Sequence, residues 1–395
     1  MMNIVRQRQP CNSDNNFATE GGRMAVIDQL ISYIAHAAPA TRRPAQGDEP
    51  YLRPEIGFTP RWYNEATGGI DFGVRWHCDP AYRADSVVEM AYITQRRFGA
   101  RAHIGPLQTR ENLTDLITGV FGALMVPAIY GAPIWWQEHD WPWIEHGQHL
   151  TGEMTDALEA PDLDNNPFWH AFVEQLDWIE RYVPRMDGYI NWQSVINSGY
   201  RLRNEALFTD MVENPGRVHH LFACLTETMI DGAKRLYARQ AATGVEVSHF
   251  TVSNCLVNML SPRHYAEFVL PYDQRIAAEF GQIGIHNCAW NANPYLHHYA
   301  TVPNVAYVDM GIESDLAQAA ALFPRARRAL MYTPMDIQHK STAELRHDLE
   351  RIAAAYGPCD LVCADIDLGV PDDRIIEILD LCEAISARYE PLLVE

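Results

Sequence analysis

The chain lacks several things. No apolar run reaches the roughly eighteen residues that a membrane-crossing helix needs. Basic residues are scarce: Lys and Arg total 31 against 51 Asp and Glu, a formal charge of −20. A surface so acidic is a poor match for nucleic acid or an anionic membrane, and its plain reading is solubility. The opening stretch MMNIVRQRQPCNSDNNFATEGG lacks the apolar core of a secretory signal, and residues 1–24 are expected to be a loose tail. Clustered cysteines are lacking: the eight, Cys11, Cys78, Cys224, Cys255, Cys288, Cys359, Cys363 and Cys382, are scattered over the chain. Without a signal, that scatter points to a reducing, cytoplasmic setting and to free thiols or metal ligands rather than disulfides. No internal repeat is visible. No Gly-rich phosphate loop follows an early strand, which counts against a doubly wound nucleotide-binding sheet.

What is present is a large apolar fraction, 47% of the chain, enough for a barrel-sized core or two smaller ones. The second half alternates short apolar or β-branched runs with helix punctuation. GVEVSHFTV, QIGIHNC, NVAYVDM, RALMYTP and CDLVCAD read as strands. Ser261-Pro262, Asn214-Pro215, Ser341-Thr342 and Pro371-Asp372 open helices before, between and after them, and Pro271 should kink the one opened by Ser261-Pro262. In the first half, RAHIGPL, ALMVPAIYG and MDGYINWQ are three further candidate strands. Five plus three gives eight, the number in an α/β (β/α)8 barrel, a TIM barrel with inserted helices. Residues 101–395 would form it, and 25–100 would be an N-terminal extension packed against it.

Chemistry concentrates at the end of QIGIHNC. Alternate residues of an extended segment point the same way, so His286 and Cys288 can aim at one point. Cys363 lies at the end of the last expected strand and so faces the same rim of a closed barrel. One imidazole and two thiolates suit Zn²⁺, with a fourth position open. Cys359 should fall at the opposite end, whereas Cys255, in TVSNCL, falls near the rim. The competing reading is packing, since cysteine is often buried inertly.

These residues carry a resemblance. LFTDMVENPGRVHHLFACLTE, LSPRHYAEFVLPYDQRIAAEFG, IHNC and VCADIDLGVPDDRIIEILDLCEAI resemble the uroporphyrinogen decarboxylase-like superfamily, in particular its zinc-dependent cobamide methyltransferase branch. GFTPRWYNEATGGIDFGVRWHCDPAYR is similar to its N-terminal approach segment. The resemblance implies a (β/α)8 barrel and zinc held by His286, Cys288 and Cys363. It implies methyl transfer between a corrinoid and a thiol or tetrahydrofolate acceptor. The chain has Ala289 and Trp290 where coenzyme M enzymes often have Gly, and it lacks the Arg-Gln-Ala-Gly-Arg-type stretch of the decarboxylases. The alternatives are a metal-free decarboxylase or lyase acting on an acidic small molecule, and a non-catalytic partner of a corrinoid protein. No Asp-x-His-x-x-Gly cobalamin motif occurs, so a corrinoid would arrive on a separate protein.

Other candidates surround this core. Trp135, Trp136, Trp141 and Trp143 either wall a large flat ligand or anchor a long loop, and Trp135 and Trp136 stand as cofactor contacts. Asn291, with Asn293 nearby, can donate to an acceptor's polar group. Asp309, at a strand end, would manage a proton or orient a ligand. Glu153, Asp309, Asp365 and Asp367 are the carboxylates available for a fourth ligand position. A second metal among His139, His146 and His149 is not expected, and His297 and His298 belong on an outer helix.

Overall fold

The computed structural model describes residues 30–32, 51–101, 108–145 and 147–389. The tail at 1–24, nearly all of the RAHIGPL strand and His146 lie outside the described residues. Nine strands are present among those described: β1 (Leu30–Ser32), β2 (Leu52–Phe58), β3 (Ile134–Trp135), β4 (Trp143–Ile144), β5 (Phe250–Ser253), β6 (Ile283–His286), β7 (Val305–Gly311), β8 (Arg327–Met331) and β9 (Cys359–Ile366). Seven form one parallel sheet in the order β1-β2-β9-β8-β7-β6-β5, while β3 and β4 make a small antiparallel ribbon.

The architecture is α/β, a (β/α)8 barrel with inserted helices. Beyond β5 the wall continues without regular pairing. Residues 187–193 run beside β5, where the Thr251 amide donates to Tyr189 Oη at 2.7 Å and a parallel bridge joins Asp187 to Asp115. Gly188 at φ 107° and Gln193 at φ 62° break the extended geometry that a ladder needs, so the expected strand MDGYINWQ is an irregular segment. ALMVPAIYG is not a strand either. It contains the short buried helix Met125–Ile129, and a short apolar run cannot be told from a strand by periodicity.

Residues 25–100, expected to pack on the barrel, supply β2 to the sheet itself, beside β9. Its Arg53, Pro54 and Glu55 conceal the strand in the sequence. On β9, Asp360, Val362 and Ala364 share one face, and Cys359, Leu361 and Cys363 share the other. Val362 and Ala364 cluster with Tyr307, Ala329 and Met331 inside the barrel. Below them Arg53 and Arg327 both donate to Asp360, at 2.8 and 2.6 Å, all three side chains at most 3% exposed. The lower barrel is thus closed by a buried ion-paired layer.

Helices follow their punctuation. Ser341 and Glu344 form a reciprocal capping box at the start of Thr342–Tyr356. Ser261 accepts from the His264 amide, with Pro262 at the first helical position. A π-turn at Tyr265–Val269 precedes Pro271, which lacks the amide that would continue the ladder. The helix Pro215–Ala242 opens at Asn214-Pro215. No described helix is long and apolar enough to cross a membrane.

Candidate metal centre

Adjacent strands place the site. Ser253 of β5, His286 of β6 and Asp309 of β7 lie in one register row at the C-terminal ends of their strands. Two residues beyond Ser253 is Cys255, and two beyond His286 is Cys288. Ligand atoms of Cys255, His286 and Cys288 all lie within 4.8 Å of one another.

The two strand ends repeat a motif: Ser253-Asn254-Cys255 and His286-Asn287-Cys288. Both asparagines are fully buried and anchor outward. The Asn254 amide donates to the His286 carbonyl at 2.8 Å, and its side chain donates to Asp273 at 3.1 Å. Burial pushes the Asp273 carboxyl up to about 7. Asn287 Oδ1 accepts from Tyr299 Oη at 2.8 Å, and its Nδ2 donates to the Trp290 carbonyl at 2.9 Å. With the asparagines tied outward, each cysteine turns over the barrel mouth.

Asp309 holds the loop. Its Oδ2 receives His286 Nδ1–H at 2.6 Å and Tyr307 Oη–H at 2.8 Å. Its Oδ1 receives the amides of Asn287 at 2.9 Å and Cys288 at 3.1 Å. The carboxylate therefore fixes the His286 tautomer, leaving Nε2 for the centre, and fixes Cys288 at φ 62°. Gly311 sits beneath: a Cβ there would come 2.0 Å from the Ala289 carbonyl oxygen. The Cys255 sulfur, hydrogen-bonded to Cys288, and then burial push the Cys288 thiol well above its ordinary value. Two thiolates beside Asp309 repel one another unless a cation lies between them.

The group fits a tetrahedral ion. Zinc bonds of about 2.0–2.3 Å put ligand atoms roughly 3.3–3.8 Å apart. The three donors need only draw in slightly, and the fourth direction opens on a cavity of about 510 Å³. Its walls include Trp143, Leu256, Tyr200, Asn191, Gln193 and Arg201.

Of the residues expected from sequence, His286 and Cys288 are brought together, and Cys363 is not with them. Strand alternation turns Cys363 outward, away from Val362 and Ala364, into the apolar layer near Cys382 of the helix Asp372–Tyr389. Burial pushes its thiol up. The second sulfur is Cys255. The repeated X-Asn-Cys at neighbouring strand ends is the signal that marks it.

Asp309 does not line the cavity. It lies behind His286, fully buried, with both oxygens engaged, so neither is left for a fourth bond. Asn291 is exposed and accepts from the Asn293 amide at 2.9 Å, in a turn outside the cavity lining. Trp135 is half exposed on β3, and Trp136 packs against His77, so neither lines the cavity, whereas Trp143 does. Glu153 is exposed on the short helix Gly152–Asp156. Asp367 accepts from Thr59 Oγ1 at 3.1 Å, and Asp365 is outside the lining. His297 and His298 ride the outer helix Leu296–Tyr299. Sequence reasoning passed over Gln193, Asn197 and Arg201, which have no motif and meet the thiols only through the fold.

A family model described as uroporphyrinogen decarboxylase (URO-D) matches residues 92–356, more than half of the chain. The chain belongs to the uroporphyrinogen decarboxylase family. Among solved structures it is similar to a methyltransferase from Methanosarcina mazei, at 12% identity and a TM-score of 0.57, over 89% of this chain and 99% of that one. At that identity the likeness is one of fold. No curated protein matches the chain. The family's barrel puts functional residues at the C-terminal ends of strands, where the Cys255–His286–Cys288 group sits.

Proposed function

We propose that this member of the uroporphyrinogen decarboxylase family is a zinc-dependent methyltransferase, moving a methyl group between a corrinoid held by a separate protein and a thiol or tetrahydrofolate acceptor. The observation that carries the reading is the convergence of two sulfurs and one carboxylate-oriented imidazole on the mouth of a ligand-sized cavity. The fold shared with a protein named a methyltransferase supports it.

Bound zinc would supply Lewis acidity and hold an acceptor thiol as its thiolate at neutral pH. Cys255, His286 Nε2 and Cys288 would hold the ion. Asp309 keeps the imidazole in the metal-binding tautomer and holds the 287–288 backbone in place. Trp143 and Leu256 give the cavity apolar wall, while the amide side chains of Asn191 and Gln193 give it polar wall. The cavity's room beside the donors suits an acceptor more than a whole corrinoid, in keeping with a methyl carrier docking from outside.

The test is metal analysis of the purified chain, followed by methyl transfer from methylcobalamin to a panel of thiols and to tetrahydrofolate. One zinc per chain and acceptor-dependent demethylation are expected. A chain that takes up no zinc when offered it, or that transfers equally well after chelation, would overturn the proposal.

A further inference from the structure

The same cavity contains a cation without an anionic hydrogen-bond partner among the described residues. Arg201 lines it from the helix Val195–Arg203. Its Nη1 donates to Gln193 Oε1 and to the Asn197 carbonyl, both at 3.2 Å. These acceptors are neutral. Gln193 is itself fixed by Asn197 Nδ2 at 2.7 Å and by donating to Asn191 Oδ1 at 2.8 Å, and it sits at φ 62°, a conformation that costs energy outside glycine. The guanidinium is therefore held in one orientation. Its other edge, Nε with Nη2, makes no hydrogen bond or ion pair with any described residue. No Asp or Glu lines the cavity among the described residues, in a chain of charge −20.

Elsewhere the chain fills that edge, with carbonyl oxygens at Arg83 and Arg328 and with a single carboxylate at Arg97 and Arg217. Arg97 grips Asp372 through Nε and Nη2 at 2.8 and 2.6 Å, and Arg217 grips Asp156 at 2.8 Å through each. Two parallel N–H bonds match the two oxygens of a carboxylate. Burial lowers the Arg201 pKa, opposed by the nearby Cys255 sulfur.

We infer that Arg201 and the Gln193–Asn197 pair that orients it form a carboxylate-binding subsite facing the cysteine–histidine group, so that the small molecule accepted here carries a carboxylate. This deepens the proposed methyl transfer by naming a property of the acceptor. The subsite itself is built without the metal, so the two readings can fail separately.

The experiment titrates the full metal-free chain with propionate, ethanesulfonate and 1-propanol, read by tryptophan fluorescence, since Trp143 shares the cavity. The zinc-loaded chain is then titrated with 3-mercaptopropionate and with uncharged 3-mercapto-1-propanol. Losing a charge-assisted pair of hydrogen bonds corresponds to about tenfold or more in affinity. Propionate is expected to bind at least about tenfold more tightly than 1-propanol, and 3-mercaptopropionate than its alcohol. Arg201→Gln should abolish both preferences with zinc content unchanged. Arg201→Lys, which keeps the charge but not the parallel donors, should retain only part, and it keeps the test readable where the Gln variant fails to fold. Equal binding of propionate and 1-propanol by the wild type, an undiminished preference in either variant, or tighter binding of ethanesulfonate than propionate would overturn the assignment. Arg201-dependent propionate binding by a chain that takes up no zinc would leave the subsite standing and remove the methyltransferase reading.

Discussion

His286 Nδ1 lies 2.6 Å from Asp309 Oδ2, and the other oxygen of the same carboxylate holds the Asn287 and Cys288 amides. One buried side chain on β7 therefore sets both the tautomer of one ligand and the backbone of another. Asp309→Asn separates these tasks. An amide oxygen can still receive the two backbone amides, but the amide nitrogen then faces His286 and donates to Nδ1. The imidazole proton is driven to Nε2, the atom the metal needs. Zinc affinity, measured by competition with a chromophoric chelator, should fall about 10- to 100-fold, alongside a modest loss of thermal stability as the Tyr307 hydroxyl loses its acceptor. Unaltered affinity would show that the carboxylate does not govern the tautomer.

The identity of the second sulfur gives a sharp comparison. Cys255→Ala and Cys288→Ala should each leave two donors and strongly reduce bound zinc. Cys363→Ala should keep full zinc content and instead lose stability, by roughly 1–2 kcal/mol, because it removes a buried group from the outer apolar layer. Metal analysis beside urea denaturation reads both. Loss of zinc in Cys363→Ala alone would restore the ligand set expected from spacing.

That comparison also shows what the sequence makes legible. The apolar run Ile283–Ile285 ending in His286 declares a strand end, and parallel alternation declares a barrel. Alternation divides β9 into two sets, Asp360-Val362-Ala364 and Cys359-Leu361-Cys363, without saying which set faces inward. An aspartate in the inner set argues for the wrong face until Arg53 and Arg327 are seen to neutralise it. Arg53 hides β2 for the same reason: two non-local strands share a charge network that neither reveals alone. Cys255 was nearer to being readable, because its Asn-Cys repeats that of His286-Asn287-Cys288. Arg201 was not readable, since its lack of an acidic partner is a property of the folded cavity.

The buried network predicts an asymmetric response. Arg53 and Arg327 are both buried and share Asp360. Asp360→Asn preserves shape but leaves two desolvated guanidiniums without their shared carboxylate. Breaking one partner of such a buried pair typically costs about 3–5 kcal/mol. Urea denaturation should show a loss of that order. Arg53→Met, which leaves Asp360 paired with Arg327, should cost less. A loss under about 1 kcal/mol in Asp360→Asn would mean that solvent reaches the layer.

His77 supplies the pH dependence. It is 1% exposed, its Nδ1 accepts from the Phe121 amide at 3.0 Å, and burial, with Arg83 nearby, lowers its pKa to about 3. In the unfolded chain an imidazole titrates near its ordinary value of about 6.5. Between the two values the unfolded state binds a proton that the folded state refuses, so stability rises with pH across this window. The contribution is fully present above about pH 6.5 and is lost as pH falls toward 3, by an amount on the order of 5 kcal/mol at most. His77→Asn keeps an acceptor for the Phe121 amide and removes the titration. Denaturation midpoints from pH 7 to pH 4 should fall more steeply for the wild type than for the variant, and the two should run parallel above pH 7. Parallel curves throughout would mean that His77 takes up its proton in the folded state as readily as in the unfolded one.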